Sequence, residues 1–224
     1  MALFLFDVFG NASIGVYAVV NDRVAVVPPQ VPEGKQRKFG EWLNVEVVAT
    51  TVGKSVITGA LACCNSNGVV LPAFVHDDEV EAFKSVISDL NVAVMDTRKT
   101  AYGNLVLAND KGAVVDPRLE RDVVDKISDT LGVEAVSASI AGLPYVGSLA
   151  VATNKGVLAH PLLKEEEQRV LGDVLKVPVD VGTVNGGVPY VGTGLLGNSY
   201  GAVAGLLTTG PEMFIIGQAL DVVK

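Results

Sequence analysis

Very few side chains in this 224-residue sequence could perform catalysis or hold a metal ion. The only thiols are those of Cys63 and Cys64, and the only imidazoles are those of His76 and His160. A cysteine nucleophile needs an accessible thiolate beside a base, and a zinc site needs several ligands at short spacings. The adjacent cysteines lie in an apolar stretch, so we expect buried free thiols in a reducing compartment. We therefore predict no catalytic residue and no metal.

A dinucleotide-binding motif also occurs in the sequence. The segment from Gly192 to Gly197 matches G-x-G-x-x-G literally. That fingerprint acts only where it follows a strand and opens a helix. Here it opens an apolar hairpin, so we reject it and predict no cofactor. His160 precedes Pro161 as Asp116 precedes Pro117, which favours a capping role for His160 over metal ligation.

The glycine that begins this motif belongs to a repeat that spans the chain. Equivalent glycines recur at intervals of 44, 44, 44 and 45 residues. A turn follows each glycine, and a proline closes four of the five hairpins. The opening glycines are Gly15, Gly59, Gly103, Gly147 and Gly192, and the turns start at Asn21, Asn65, Asn109, Thr153 and Asn198. Such regular self-similarity indicates a repeat architecture.

Each repeat reads as a hairpin, a helix and a strand. In the third repeat, two apolar runs flank the turn from Asn109 to Gly112, and Asp116 and Pro117 are predicted to start the helix. Apolar spacing predicts the buried helix faces. In the first four helices these faces are, in order, Phe39, Trp42 and Leu43 in a helix around Arg37 to Leu43; Val80, Phe83, Ile87 and Leu90; Leu119, Val123, Ile127 and Leu131; and Val170, Leu171, Val174 and Leu175. The fifth helix is predicted to open with the capping box Thr209–Glu212.

The order of the elements predicts ring closure. The chain begins with the last strand of a repeat and ends after the helix of the fifth, so the N-terminal strand can complete the C-terminal repeat. We therefore expect residues 1–224 to form one domain, a closed α/β ring with its helices outside and its hairpins inside. Closure would also protect the sheet edges.

Composition limits the classes of partner. The net charge is −8 and the pI about 4.7, which argues against recognition of phosphates and permits docking on a basic protein. No apolar run approaches the length of about 20 residues that spans a bilayer, and no signal peptide is evident. We expect a cytoplasmic protein.

Polar and aromatic residues precede the opening glycines, at residues 11–14, 100–102, 143–145 and 188–190. Repeat symmetry should gather these segments at one end of the ring. Exposed tyrosines beside Asn and Ser would suit a protein-docking surface. The alternative is that the tyrosines fill the throat of the ring, and the sequence leaves both open.

The chain resembles the translation initiation factor 6 family in its archaeal form over essentially its whole length. The motifs that carry the resemblance are Asn11 with Ile14-Gly15, Thr100-Ala101-Tyr102-Gly103-Asn104, Val146-Gly147-Ser148, Thr153-Asn154-Lys155-Gly156 with His160-Pro161, Gly182-Thr183-Val184-Asn185, and Thr208-Thr209-Gly210-Pro211-Glu212. The resemblance implies the pentein fold, a closed five-fold pseudosymmetric ring of α/β repeats.

The resemblance also implies a function without catalysis. Members of the family bind the subunit-joining face of the large ribosomal subunit, mainly on a basic ribosomal protein near the sarcin–ricin loop with limited RNA contact. They prevent association with the small subunit and act in large-subunit maturation and translation initiation. We expect a monomer, because a closed ring has no need of a dimer. The predicted ribosome-binding residues are Asn11, Gly15, Ala60, Tyr102, Gly103, Asn104, Ser148 and Leu149.

Two residues depart from the family pattern as we expect it. Tyr102 stands where we expect a smaller aliphatic residue, and Lys54 lies in a loop that we expect to be neutral. Two other functions also stay open. Guanidine-modifying enzymes share the pentein ring but use a late cysteine nucleophile, whereas this chain has no cysteine after Cys64. A scaffold that binds a non-ribosomal protein is the third possibility.

Overall fold

The computed structural model describes residues 2–86 and 89–223 and shows a ring of five α/β repeats. The predicted fold class is confirmed. Each repeat contains a short helix, an antiparallel hairpin, a long helix and an outer strand. Ile87, which we predicted on the buried face of the second long helix, lies outside the described residues.

The elements follow one another with a constant order. The chain begins with β1 (Leu3–Phe6). The five repeats then comprise α1 (Ile14–Tyr17), β2 (Val19–Val20), β3 (Val24–Val27), α2 (Glu33–Leu43) and β4 (Glu46–Ala49); α3 (Thr58–Leu61), β5 (Cys63–Cys64), β6 (Gly68–Pro72), α4 (Asp77–Val86) and β7 (Asn91–Met95); α5 (Tyr102–Leu105), β8 (Val106–Ala108), β9 (Ala113–Val115), α6 (Arg121–Leu131) and β10 (Ala135–Ser137); α7 (Val146–Leu149), β11 (Ala150–Ala152), β12 (Val157–Ala159), α8 (Glu165–Leu175) and β13 (Val179–Val181); and α9 (Val191–Gly194), β14 (Leu195–Gly197), β15 (Ala202–Gly205) and α10 (Gly210–Ala219).

Each repeat builds one three-stranded sheet. The two hairpin strands pair antiparallel, and the outer strand pairs parallel to the second hairpin strand. In the fifth sheet the outer strand is β1, with Leu3 opposite Ala202 and Phe6 opposite Gly205. The first strand of the chain thus lies beside the last.

The long helices begin and end at recognisable signals. The predicted capping box is present in α10, where Thr209 and Glu212 bond each other's backbone N–H groups. Gly132 ends α6 in the left-handed conformation, with φ of 62°. The first long helix starts at Glu33, earlier than predicted, and buries Phe39 and Leu43. Trp42 is only partly buried and stacks on Phe4 at 4.4 Å.

The predicted role of Asp116 as a helix cap is wrong. Helix α6 begins at Arg121, and its N-cap is Glu120. Asp116 is fully buried. Its carboxylate accepts hydrogen bonds from the backbone and guanidinium of Arg118, at 2.9 and 2.6 Å. A turn therefore separates the hairpin from the helix, and Asp116 holds this turn.

The opening glycines lie in helices, although we predicted that they start the hairpins. Gly103 lies in α5, and the strand starts only at Val106. A Cβ atom on Gly103 would lie 1.9 Å from the carbonyl oxygen of Gly59. The other four glycines face their neighbours in the same way, at 2.0 to 2.1 Å. The single helical turn brings five backbones together where no side chain fits, and one apolar run per repeat cannot distinguish it from a strand.

The hydrophobic core lies between repeats. Each of its five clusters combines residues from two neighbours: one joins Cys63 and Val70 of the second repeat to Ile127 and Leu131 of the third. The last joins Phe6 and Val203 to residues of the first repeat, such as Phe39. Each repeat is therefore stabilised mainly by its neighbours, as in repeat proteins generally.

Candidate docking surface

The five short helices form a closed circle at one end of the ring. Each contacts the next in the order α1, α3, α5, α7, α9 and back to α1. Every residue of these helices is uncharged. We call this end, together with the loops at residues 8–13, 52–57, 96–101, 140–145 and 184–190, the short-helix face.

Apolar side chains surround the centre of the short-helix face. Tyr145 and Tyr190, the N-cap residues of α7 and α9, are 46% and 45% exposed. Phe9, Ile57 and Leu143 are also exposed large hydrophobic residues. Tyrosine and other large apolar side chains supply much of the energy of protein–protein contacts. The face has the composition of a protein-docking surface.

A shallow groove lies where the first and fifth repeats meet on this face. Its lining includes Phe9, Asn11, Val188 and Leu207. The side-chain oxygen of Asn11 accepts a hydrogen bond from the Ser13 N–H at 2.7 Å, which fixes the loop before α1. The lining is uncharged, so the groove suits apolar groups better than phosphates.

The structure separates the predicted site residues into two groups. Asn11 is exposed, Gly15, Gly103, Asn104 and Ser148 are partly exposed, and Ala60 is buried. All six lie on the short-helix face. Tyr102 and Leu149 also belong to short helices, but both side chains are fully buried.

Tyr102 and Leu149 must be withdrawn from the docking residues, because their side chains face the core. Tyr102 packs with Cys63 and Leu105, and its hydroxyl lies 2.7 Å from Thr97 Oγ1. Burial raises its pKa, while the bond to Thr97 acts in the opposite sense. A helical turn points residues three apart to one side, and the first residue of each short helix is buried, as is the fourth in every short helix except α1, where Tyr17 is partly exposed. A larger residue at position 102 therefore changes the core, not the surface.

The charge of Lys54 on this face is matched by a neighbour. Its Nζ atom lies 2.6 Å from Asp78 Oδ2 at the start of α4. The hydrogen bond to Asp78 raises the pKa of Lys54, and the same bond lowers the pKa of Asp78. Lys54 therefore adds an ion pair to the edge of the face.

Three glutamates, of which Glu79 and Glu212 are buried and Glu167 is partly buried, fix three of the loops on this face. Glu212 accepts hydrogen bonds from Gly186 and Gly187 N–H at 3.0 and 2.8 Å, and from Thr183 Oγ1 at 2.7 Å. Glu79 and Glu167 hold the loops at residues 51–54 and 139–142 in the same way. Burial would raise the pKa of all three, but these hydrogen bonds lower it, to about 2 for Glu212. The loops are therefore held in place before any partner arrives.

His160 and Arg118 lie beside the exposed tyrosines. His160 Nδ1 accepts a hydrogen bond from Leu162 N–H at 3.1 Å, so His160, like Asp116, holds a turn. The predicted capping role is therefore wrong for the helix, because α8 begins at Glu165 with Lys164 as its N-cap. Burial lowers its pKa, and Glu167 opposes this effect. The guanidinium of Arg118 lies 4.6 Å from the centre of the Tyr145 ring, within cation–π range. These contacts orient the rim of the face.

A narrow cavity of about 100 Å³ follows the ring axis beneath the five glycines. Cys63 and Cys64 line it, and both are free and buried, as predicted. Burial raises the pKa of Cys64 to about 12 and that of Cys63 further. A thiolate nucleophile is therefore disfavoured here. Among residues 2–86 and 89–223, no group of three His, Cys, Asp or Glu side chains could hold a metal ion.

The opposite end of the ring is polar and charged. The five hairpin turns lie there, and they contribute Asp22, Arg23, Asp110, Lys111 and Lys155. We call this end the turn face. The two ends of the ring therefore differ, because the five short helices form an uncharged centre at one end, whereas charged side chains occupy the turns at the other.

Sequence reasoning missed several exposed residues of the short-helix face. Val16 and Thr193 stand one residue after the opening glycine and are partly exposed, so repeat symmetry could have identified them from Asn104. Phe9 and Leu207 gave no such signal. Their exposure depends on loops that come together only where the ring closes.

Five α/β repeats, each with one three-stranded sheet, define a pentein. Solved structures with a similar fold include a citrulline-bound dimethylarginine dimethylaminohydrolase from Pseudomonas aeruginosa, at 8% identity and a TM-score of 0.49, over 76% of this chain and 69% of that one. Another is the N-terminal domain of ArgZ, at 17% identity and a TM-score of 0.47, over 74% and 69%. These are likenesses of fold.

Sequence comparisons identify the family within this class. The family model described as "eIF-6 family" matches residues 4–219, and the chain belongs to this family. Translation initiation factor 6 from Staphylothermus marinus is 38% identical over 99% of this chain and 98% of its own length. Translation initiation factor 6 from Pyrococcus horikoshii is 60% identical over 53 residues, which cover 24% of this chain and 23% of that protein. In the part of the chain that the structure describes, each helix is too short or too polar to cross a membrane.

Proposed function

We propose that this protein binds the large ribosomal subunit at its subunit-joining face and sterically prevents association with the small subunit. By this action it would take part in large-subunit biogenesis and in translation initiation. The proposal rests on membership of the eIF-6 family and on relatives named translation initiation factor 6. The observation that carries the site is the uncharged centre of the short-helix face, formed by all five repeats.

The proposed partner is mainly a basic ribosomal protein near the sarcin–ricin loop. A net charge of −8 would attract a basic surface over a distance, and the uncharged centre of the short-helix face would then make the close contacts. Only limited contact with ribosomal RNA is proposed, because the centre of the face is uncharged and its cations Lys54, Arg98 and Lys99 are confined to two loops. The exposed Tyr145 and Tyr190 would be anchors at the rim.

The proposed mechanism is occupancy of a surface, so it assigns no catalytic residue and no cofactor. Residues 1–224 would act as one domain and as a monomer in the cytoplasm, with the fixed loops of the short-helix face meeting the subunit as a preformed surface. Preorganised loops lose little conformational entropy on binding. Turnover of arginine, methylarginines or agmatine by the pure protein would contradict the assignment as a non-enzyme.

A sedimentation assay tests the proposal. Purified large subunits are pelleted with the protein at a low and a high salt concentration, and small subunits are then added. We expect binding that persists at the higher salt and a loss of joined ribosomes. Binding that collapses with salt would move the interface towards RNA. No binding at either salt would refute the function.

Asn104→Arg supplies the matched test of the face. Asn104 is partly exposed at the centre of the short-helix face, so a long cation there should weaken binding at least tenfold without unfolding the ring. Asn67→Arg is the control, because it introduces the same side chain at an exposed position on the turn face. Equal affinity of the two variants would remove Asn104 from the interface.

A further inference from the structure

On the turn face, side-chain amides join neighbouring repeats. The Nδ2 atom of Asn21 donates to the Asn65 carbonyl at 2.7 Å, and Asn65 donates to the Asn109 carbonyl at 3.1 Å. Asn109 donates to the Thr153 carbonyl at 2.9 Å, and Asn198 donates to the Asn21 carbonyl at 3.1 Å. All four bonds are buried. We call this set of bonds the asparagine belt.

The same amides also bind the ends of long helices. Asn65, Asn109 and Asn198 donate to the carbonyls of Leu131, Leu175 and Leu43, at 2.8 to 2.9 Å. Each acceptor is the last residue of the long helix in the neighbouring repeat, where helical carbonyls have no partner within the helix. One asparagine thus ties its turn both to the next turn and to the next helix.

The fourth repeat has a threonine at this position. Thr153 Oγ1 accepts hydrogen bonds from Lys155 and Gly156 N–H at 3.1 Å, so the turn itself is intact. Its hydroxyl donates to the Gly156 carbonyl within the same turn, at 3.2 Å. Threonine lacks the amide donors, and across the described residues its side chain makes no hydrogen bond to the fifth repeat. The asparagine belt is therefore interrupted at the boundary between the fourth and fifth repeats, and we call such a boundary between neighbouring repeats a seam.

Other polar groups do not replace the lost bonds. Asn154, beside Thr153, gives its amide to Asp110 at 2.6 Å and to Asp22 at 2.8 Å. Asp22 also accepts a hydrogen bond from Ser199 Oγ of the fifth repeat at 2.6 Å, so a part-buried carboxylate of the first repeat bridges the two turns, and among the described residues no side-chain amide joins them directly. A long contact of 3.5 Å joins Lys155 Nζ to the Asp221 carbonyl across this seam. At the short-helix face, by contrast, Glu212 holds the loop of the fourth repeat firmly. At the turn face, this boundary therefore lacks, in the part of the chain that the structure describes, the buried amide bonds found between other repeats and has only part-buried or exposed polar contacts.

We propose that the ring opens locally at the turn face between the fourth and fifth repeats, while the short-helix face stays closed. Regions with few buried hydrogen bonds are the first to open in native proteins. Opening at this seam would expose Gly156, whose added Cβ would lie 1.8 Å from the Ala219 carbonyl across the seam. The ring could thus loosen without disturbing the proposed docking surface.

Amide hydrogen exchange of the free protein tests this proposal, because the repeats supply matched reporters. Gly68, Gly112, Gly156 and Gly201 are buried, and each donates its amide to the side chain at the start of its turn, at 3.0 to 3.1 Å. We expect the protection factor of Gly156 to be at least tenfold lower than those of the other three. Equal protection at all four glycines would overturn the proposal.

A reciprocal pair of substitutions gives the decisive comparison. Thr153→Asn supplies the missing donors and should raise the protection of Gly156 about tenfold, the expected effect of one or two net hydrogen bonds. Asn109→Thr opens the belt one seam earlier and should lower the protection of Gly112 by a similar factor. If Thr153→Asn leaves the protection factor of Gly156 unchanged and Asn109→Thr leaves that of Gly112 unchanged, the asparagine belt does not control opening. Each variant gives an independent answer if the other fails to fold.

Discussion

Replacing Glu212 tests how the loops of the short-helix face are held. Burial would raise the pKa of this carboxyl, but hydrogen bonds from Thr209, Thr183 and Gly187 lower it from 4.5 to about 2. One pKa unit corresponds to about 1.36 kcal/mol, so the ionised carboxylate contributes about 3 kcal/mol to the free energy of unfolding. This contribution is fully present above pH 4.5 and is lost as the pH falls through 2.

The variant Glu212→Gln keeps the shape of the side chain and removes its charge. We expect it to lower the free energy of unfolding by about 2–3 kcal/mol at pH 7, because donors aimed at a buried carboxylate lose a charged acceptor. The difference from the parent protein should shrink below about 1 kcal/mol at pH 2.5, where the parent carboxyl is itself becoming protonated. Urea denaturation followed by circular dichroism at both pH values measures these differences.

Glu166→Gln is the control for this experiment. Glu166 is exposed on α8, so its replacement should change stability by less than about 0.5 kcal/mol at either pH. If Glu212→Gln lowers the free energy of unfolding by the same amount at pH 7 and pH 2.5, the electrostatic account is refuted. It would mean that packing of the side chain, and not its charge, holds the loop.

Two further predictions concern the ring axis. Gly103→Ala should destabilise the protein by more than about 3 kcal/mol in urea denaturation, since its Cβ would lie 1.9 Å from a backbone carbonyl oxygen. Gly34→Ala, in a helix with open space around it, should instead be neutral or stabilise by about 0.5 kcal/mol, and equal effects would contradict the close packing. Cys63 and Cys64 should resist a thiol reagent at pH 8 in the native protein and react only in denaturant, because burial raises both pKa values. Rapid reaction of the native protein would show that the cavity opens.

The repeat made most of the fold predictable from the sequence. Glycine spacing located the five units, and apolar spacing located the long helices. Capping signals predicted the C-terminal end of α6 at Gly132 and the N-terminal end of α10 at Thr209. The short helices were missed because one helical turn contains too few residues to show a period. For the same reason Tyr102 and Leu149 were not predicted to be buried, since the inward direction of their side chains follows from the helical turn.

The side chains that hold the loops of the short-helix face were less predictable from the sequence. Glu79, Glu167 and Glu212 lie about 25 residues from the loops that they hold, and a single carboxylate gives no signal of a distant partner. Asp7 and Lys35 show that another pair can replace the glutamate in the first repeat, with 2.6 Å between Lys35 Nζ and Asp7 Oδ2. Local sequence fixes the loop positions, whereas their hydrogen bonds depend on tertiary structure.

The repeat separates the residues that build the ring from those that form its surface. In each short helix the glycine packs against the backbone of a neighbouring repeat, and the following residue is partly exposed except in α3, where Ala60 is buried. Gly103 has no room for a side chain, so its replacement must disturb both the ring and the surface. Asn104 is partly exposed, and its side chain makes no hydrogen bond within the described residues, so its replacement changes the surface alone. A loss of ribosome binding therefore identifies the interface only when the change lies after the glycine, because a change at the glycine would remove the face by disrupting the fold.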